Sequence, residues 1–96
     1  MNLVIVDEVF DDLRSARDWY SERQPGLGEE FADAFFRTAR DLPKALVHSA
    51  VDETGYHPKR MPRFTAVIYY ELTETDLTIV GLLVNGRSSS NLRERG

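Results

Sequence analysis

Phe64-Thr65-Ala66-Val67-Ile68-Tyr69-Tyr70-Glu71, then Thr73-Glu74-Thr75-Asp76, then Leu77-Thr78-Ile79-Val80-Gly81-Leu82-Leu83-Val84, is the stretch that decides the fold. Phe64, Ala66, Ile68 and Tyr70 alternate with Thr65, Val67, Tyr69 and Glu71, the period-2 pattern of a strand with two unlike faces. Leu77–Val84 is almost continuously apolar, as expected of a strand in the middle of a sheet. The polar tetrad between them reads as a hairpin connection. Tyr56 to Met61 adds a further strand, which Pro58 and Pro62 confine to an edge or a bulge. Asn85-Gly86 ends the last strand, and Ser88-Ser89-Ser90-Asn91 is too polar to pack.

Upstream the period changes to helical. After a short β-branched strand, Leu3 to Val6, Asp7 suits an N-cap, and Glu8, Asp11 and Asp12 place negative charge at a helix start. Phe10, Leu13, Arg17 and Tyr20, with Ala16 and Trp19 nearby, predict an amphipathic helix over residues 8–23. Trp19, at helical spacing beside Leu13 and Tyr20, is expected to be buried. Gln24-Pro25-Gly26 stops this helix. Leu27, Phe31, Ala34, Phe35, Thr38, Ala39 and Leu42 mark one face of a second, which Pro43 kinks or ends near Leu42. The short link makes the pair an αα-hairpin. Residues 48–58 read as a loop. The order is β-α-α-β-β-β: an α+β domain in which an N-terminal strand and a helical hairpin precede an antiparallel sheet. Both helices cover one sheet face and leave the other partly open. Residues 1–96 form one domain.

Composition excludes several classes. There is no cysteine, hence no disulfide and no thiolate metal site. Only four apolar residues in a row open the chain, too few for a signal peptide core or a membrane span. The expectation is a cytoplasmic protein with no membrane partner. The net charge of −4 argues against a simple nucleic-acid binder. That average conceals a split: residues 1–41 hold ten acids and five arginines, whereas residues 42–96 hold six acids and seven Lys/Arg. Gly55 to Tyr70 contains Lys59, Arg60 and Arg63 and no acid.

The chemistry is sparse. There is no phosphate-binding Gly-rich loop, no His-x-x-x-His and no Gly-x-Ser-x-Gly. His48 and His57 stand at no metal-ligand spacing and read as solvated loop residues. Asp11-Asp12 and Glu29-Glu30 serve helix dipoles better than catalysis. No metal and no cofactor is expected. The arginines carry more. Arg63 immediately precedes one strand and Arg87 follows the next by three residues. Antiparallel pairing sets the start of one beside the end of the other, so Arg60, Arg63 and Arg87 gather at one end of the sheet. Converging guanidiniums bind phosphate or carboxylate. The plainer reading is solubilising charge or ion pairs to the acidic helices. Tyr56, Phe64, Tyr69 and Tyr70 interleave with these cations, a mix that stacks bases in some proteins and is core in most.

Asp12-Leu13, Asp18-Trp19-Tyr20, Gln24-Pro25-Gly26-Leu27-Gly28 and Phe31 together resemble the first half of the ParE/RelE toxin superfamily of type II toxin–antitoxin, or plasmid stabilisation, modules. Arg60, Arg63-Phe64, Ile68 and Tyr70, then Ile79 to Arg87, resemble the second half. The likeness spans nearly the whole chain, and the Trp-Tyr and Pro-Gly-Leu-Gly elements lie nearest the ParE branch. It implies a β-α-α-β-β-β fold and a cognate, co-encoded antitoxin in a hetero-oligomer, contacted through Trp19, Tyr20, Arg60, Arg63, Arg87 and Arg93. ParE-like members poison DNA gyrase. RelE-like members cut mRNA in the ribosome, and on that alternative Arg60, Arg63 and Arg87 are the catalytic residues. A third possibility is a non-toxic binding module of the same fold. The chain departs from the pattern at Thr65-Ala66, where the family often has Pro-Tyr. It departs again at Val84, where it often has histidine, and at Ser89 and Leu92 in the tail. No tyrosine or histidine follows Tyr70, so the C-terminal region lacks a conventional acid for a leaving 5′ oxygen.

Overall fold

The computed structural model describes residues 1–84. In chain order the elements are β1 (Asn2–Ile5), α1 (Asp7–Arg23), α2 (Leu27–Asp41), a 3-10 turn (Leu42–Lys44), β2 (His57–Arg60), β3 (Ala66–Leu72) and β4 (Asp76–Val84). This is the α+β order expected from the sequence. No helix among the described residues is long and apolar enough to cross a membrane.

The strand order is β1-β4-β3-β2, which puts the apolar Asp76–Val84 strand inside the sheet. β3 and β4 pair antiparallel from Ala66↔Val84 to Leu72↔Leu77, and β2 and β3 from His57↔Tyr70 to Arg60↔Val67. β2 is an edge strand, where the missing N–H of Pro58 breaks no ladder. β1 joins β4 in parallel, with Leu3↔Leu77 and Ile5↔Ile79. The sheet is therefore mixed: its three C-terminal strands are antiparallel, as read, and the N-terminal strand returns beside them. A parallel neighbour needs a long crossover, and the helical hairpin with β2 and β3 supplies it.

The alternation in β4 changes phase halfway. The ladder passes from Tyr69↔Gly81 to Tyr70↔Ile79, which leaves Val80 as an extra residue. Leu77 and Ile79 before this bulge, and Leu82 and Val84 after it, belong to the same core beneath the helices. Val80 joins the other face with Tyr56, Tyr69 and Leu83. An inserted residue moves every later side chain to the opposite face, and here it lets one strand serve two clusters. The unbroken apolar run thus reflects a bulge as well as a central position.

The helices also refine the sequence reading. Val6, in extended conformation, occupies the N-cap of α1 with no side-chain cap bond. Asp7 is not the cap but the first helical residue, where it and Glu8 still face the positive end of the dipole. The buried stripe of α1 is Val9, Leu13, Ala16 and Tyr20. Phe10 and Arg17 lie outside it and are exposed. In α2 the expected face is the buried one, through Phe31, Phe35 and Ala39 and on to Leu42. Gly26, at φ +87°, reverses the chain between the helices in a conformation glycine adopts without a Cβ penalty. Val9, Phe31, Phe35, Ile68, Tyr70, Leu77 and Ile79 are fully buried where the hairpin meets the sheet. Each such side chain contributes about 1.5–3 kcal/mol by leaving water.

Candidate functional site

The β2–β3 connection, residues 61–65, builds the basic end of the sheet. Met61 N–H donates to the Ala66 carbonyl across it. Arg63 sits at its tip with φ +70°, the one non-glycine residue of positive φ among those described. Its guanidinium is exposed, 3.8 Å from Glu30 Oε2 on α2 and 5.8 Å from the centre of the Phe64 ring. This is the plainer alternative: an ion pair to an acidic helix, of small energetic value at such exposure. Arg60, at the end of β2, is exposed as well. The register Ala66↔Val84 sets the end of β4 beside this connection. Arg87 and Arg93 lie outside the described residues.

Trp19 and Tyr20 stand differently from one another. Tyr20 is a core residue. Its ring stacks on Phe31 at 4.8 Å and meets Phe64 edge-on at 5.1 Å, and its hydroxyl is buried with no hydrogen-bond partner. Trp19 is half-buried rather than buried, and Arg23 lies over its ring, 3.1 Å from the centre. Arg23 also donates to the Trp19 carbonyl. Of this pair, Trp19 is the side chain that reaches the surface.

A cleft lies elsewhere among the described residues, and sequence reading passed over it. It encloses about 550 Å³ between the strap that follows α2 (residues 45–52), the edge strand β2 and the rim of β3. His48, Ser49, Lys59, Arg60, Tyr69 and Tyr70 line it, together with Leu42, Ala45, Val47, Asp52, Pro58 and Val67. The two histidines, separated by eight residues of loop, converge on Tyr70. His48 Nδ1 is 2.9 Å from the Tyr70 hydroxyl, and the His57 ring stacks on the Tyr70 ring at 5.2 Å. His57 Nδ1 lies 2.6 Å from the Ser49 carbonyl oxygen. A carbonyl only accepts, so His57 Nδ1 carries a proton and Nε2 is the basic nitrogen of the neutral ring.

Burial pushes the Tyr70 phenol above its ordinary range, against an opposing effect of the Ser49 hydroxyl. Burial also raises Tyr69, reinforced by the negative charge of Asp52, a hydrogen bond to it, and the charge of Glu53. Both phenols therefore stay protonated in neutral solution. Asp52 is held by the Thr54 N–H and hydroxyl in a turn that Gly55 completes. The only sequence signal for this constellation was that His48, His57 and Tyr70 all fall near β2. No spacing rule joins a loop residue to a strand across 22 positions. Among the described residues no cluster of three or more His, Cys, Asp or Glu could hold a metal ion.

No protein-family model matches the sequence, and no curated protein matches it. The fold does have a solved counterpart. A chain of the chromosomal ParDE toxin–antitoxin system of P. aeruginosa superposes with a TM-score of 0.78, covering 88% of this chain and 97% of that one at 14% identity. So distant an identity speaks for architecture, and the architecture is the one the motif order implied: this chain has the ParE-like fold.

Proposed function

We propose that this chain is the toxin of a type II toxin–antitoxin pair, of the ParE-like branch, which inhibits DNA gyrase and is neutralised by a co-encoded antitoxin. The observation that carries the reading is the near-complete coverage of a ParDE chain. The same region carries the ordered Trp-Tyr, Pro-Gly-Leu-Gly and Arg-Phe elements. The geometry of the basic end agrees with a binding role. Arg63 is exposed beside Glu30 and Phe64, partners that orient its guanidinium. Trp19 and the cations Arg60 and Arg63 are the described residues that would meet a protein partner.

Three measurements test this. Expression without a partner arrests growth, and co-expression of a short neighbouring open reading frame restores it. Purified chain traps cleaved gyrase–DNA complexes and lowers supercoiling activity. If gyrase remains fully active at saturating chain, the gyrase assignment is lost.

One observation favours a second reading, a ribosome-dependent mRNA endonuclease. The acid–base groups missing from the C-terminal region have counterparts in the cleft, where His48 and Tyr70 share a boundary with Lys59 and Arg60. On that reading the cations hold the phosphate and His48 exchanges the proton. A 5′-end map of cellular mRNA after induction decides: new cleavage sites lost in His48→Gln support it, and an unchanged map removes it.

A further inference from the structure

The helical hairpin turns one face to the sheet and the other to solvent, and the solvent face is patterned. On α1, Asp7, Phe10, Arg14 and Arg17 recur at steps of three and four and form one exposed row. On α2, Glu29, Asp33, Phe36 and Arg40 form a second. Between the rows runs a shallow groove of about 230 Å³, with Phe10, Arg14 and Arg17 on one wall and Ala32 and Phe36 on the other. Phe10 is 42% exposed and Phe36 39%. Two phenyl rings open to water at one groove, rimmed by charges, mark a surface that meets another protein.

The rows are also in step. Gly28 packs against Arg17 and Ser21, which fixes the level of one helix on the other. The helices run antiparallel, and each residue rises about 1.5 Å. Counting from Gly28 sets Arg17 level with Glu29, Arg14 with Asp33, Phe10 with Phe36 and Asp7 with Arg40, each to within about one residue. At every level the two rows carry complementary groups: cation against acid twice, ring against ring, then acid against cation. Within one chain these charges do not pair with each other. Arg14 bonds Asp11 on its own helix at 3.4 Å, with the two side chains 68% and 74% exposed, a contact of small value. Among the described residues, Asp7, Arg17, Glu29, Asp33 and Arg40 make no ion pair.

We propose that the chain pairs with a second copy of itself through this face. A two-fold axis parallel to the helices lays α1 of each copy on α2 of the other and keeps every residue at its own level. Phe10 then meets Phe36 of the second copy. Arg14 and Arg17 meet Asp33 and Glu29 of the second copy, and Asp7 meets its Arg40. The contact is isologous, so each of these pairs occurs twice. Charge complementarity selects this occupant, because the face is its own complement. An acidic partner laid across it is repelled by Glu29 and Asp33, and a basic one by Arg14 and Arg17 at Asp7 excepted. Each row is about 15 Å long, so the interface is small and the dimer weak, with a dissociation constant of about 10–100 μM.

Sedimentation equilibrium of the purified chain from about 1 μM to about 1 mM tests this, with monomer expected at the low end and dimer at the high end. Two variants carry opposite reversals. Arg14→Glu/Arg17→Glu makes both rows acidic at those levels, and Glu29→Arg/Asp33→Arg makes both basic. Each alone raises the dissociation constant at least about tenfold, and an equimolar mixture restores the parent's value, because each acidic row then faces a basic one. All four positions are exposed, and a melt at about 1 μM, where the parent is monomeric, shows that each variant folds. In the parent itself, the amide resonances of Phe10 and Phe36 shift with concentration and that of Lys59 does not. A chain that stays monomeric throughout overturns the proposal. So does a reversed variant that dimerises like the parent, a mixture no better than its parts, or concentration-dependent shifts centred on another face. If the chain stays monomeric and these residues shift only on adding the product of a neighbouring open reading frame, the face belongs to a different protein and the proposal fails. None of these readouts depends on growth arrest or gyrase, so each reading can fall alone.

Discussion

Replacing Gly28 by alanine should destabilise the helical hairpin, although alanine is the better helix former. Gly28 lies in the first turn of α2 and is buried against α1. A Cβ built there falls well inside contact distance of the Arg17 carbonyl oxygen and Ser21 Oγ, and 2.9 Å from Arg17 Cγ. Ser21 can rotate away. The Arg17 carbonyl is helical backbone and cannot move without α1. The two helices must therefore separate, and the core between Tyr20 and Phe31, stacked at 4.8 Å, opens with them. Overpacking of this kind costs about 1–3 kcal/mol. The gain in helix propensity offsets up to about 1 kcal/mol of that. Because the Arg17 carbonyl cannot yield, the upper part of that range, about 2–3 kcal/mol, applies, and the net loss is about 1–2 kcal/mol. For a domain of this size each kcal/mol lowers Tm by about 4–8 °C. Urea denaturation and a thermal melt of Gly28→Ala measure it, with the exposed Asp33→Ala in the same helix as the control. A Gly28→Ala variant as stable as the parent, with Asp33→Ala unchanged, would refute the close approach of the helices at this point.

Three further outcomes follow from the same geometry. Arg63→Gly relieves a left-handed conformation that costs a non-glycine residue about 1–2 kcal/mol and gives up only an exposed ion pair; it should raise the urea midpoint or leave it unchanged, while abolishing growth arrest if the guanidinium contacts the target. Tyr70→Phe removes the hydroxyl bonded to His48 and should cost about 0.5–1.5 kcal/mol in urea, with a shift in the His48 ring resonances that Tyr69→Phe does not reproduce. Tyr69 and Tyr70 have phenols raised above 10.0 by burial, so the folded state favours their neutral forms. Their contribution to stability is complete below pH 10 and is lost as pH rises through the raised values, which denaturation midpoints and phenolate absorbance between pH 9 and 12 will follow.

The legible part of the fold came from patterns that repeat locally. Alternation over Phe64–Glu71, the apolar Leu77–Val84 run and Pro58 in a short strand were enough to order β3, β4 and β2. Pro25, Gly26 and Pro43 bounded the helices. The face of α1 was harder. The stripe Phe10, Leu13, Arg17, Tyr20 and the true stripe Val9, Leu13, Ala16, Tyr20 share two members and one period. Only the position of the sheet chooses between them.

The sequence by itself determined what depends on neighbours in the chain: element types, the helical hairpin, the central place of β4, and the concentration of positive charge late in the chain. Tertiary structure alone decided the rest. It set β1 parallel to β4, switched the faces of β4 at Val80, and drew His48 and His57 together on Tyr70. It also tied Arg63 to Glu30 while leaving Arg60 at an open edge. The physical reason is range. Propensity and periodicity act over a few residues, whereas a cleft or a charge pair is made by segments tens of residues apart, brought together only by burying the core.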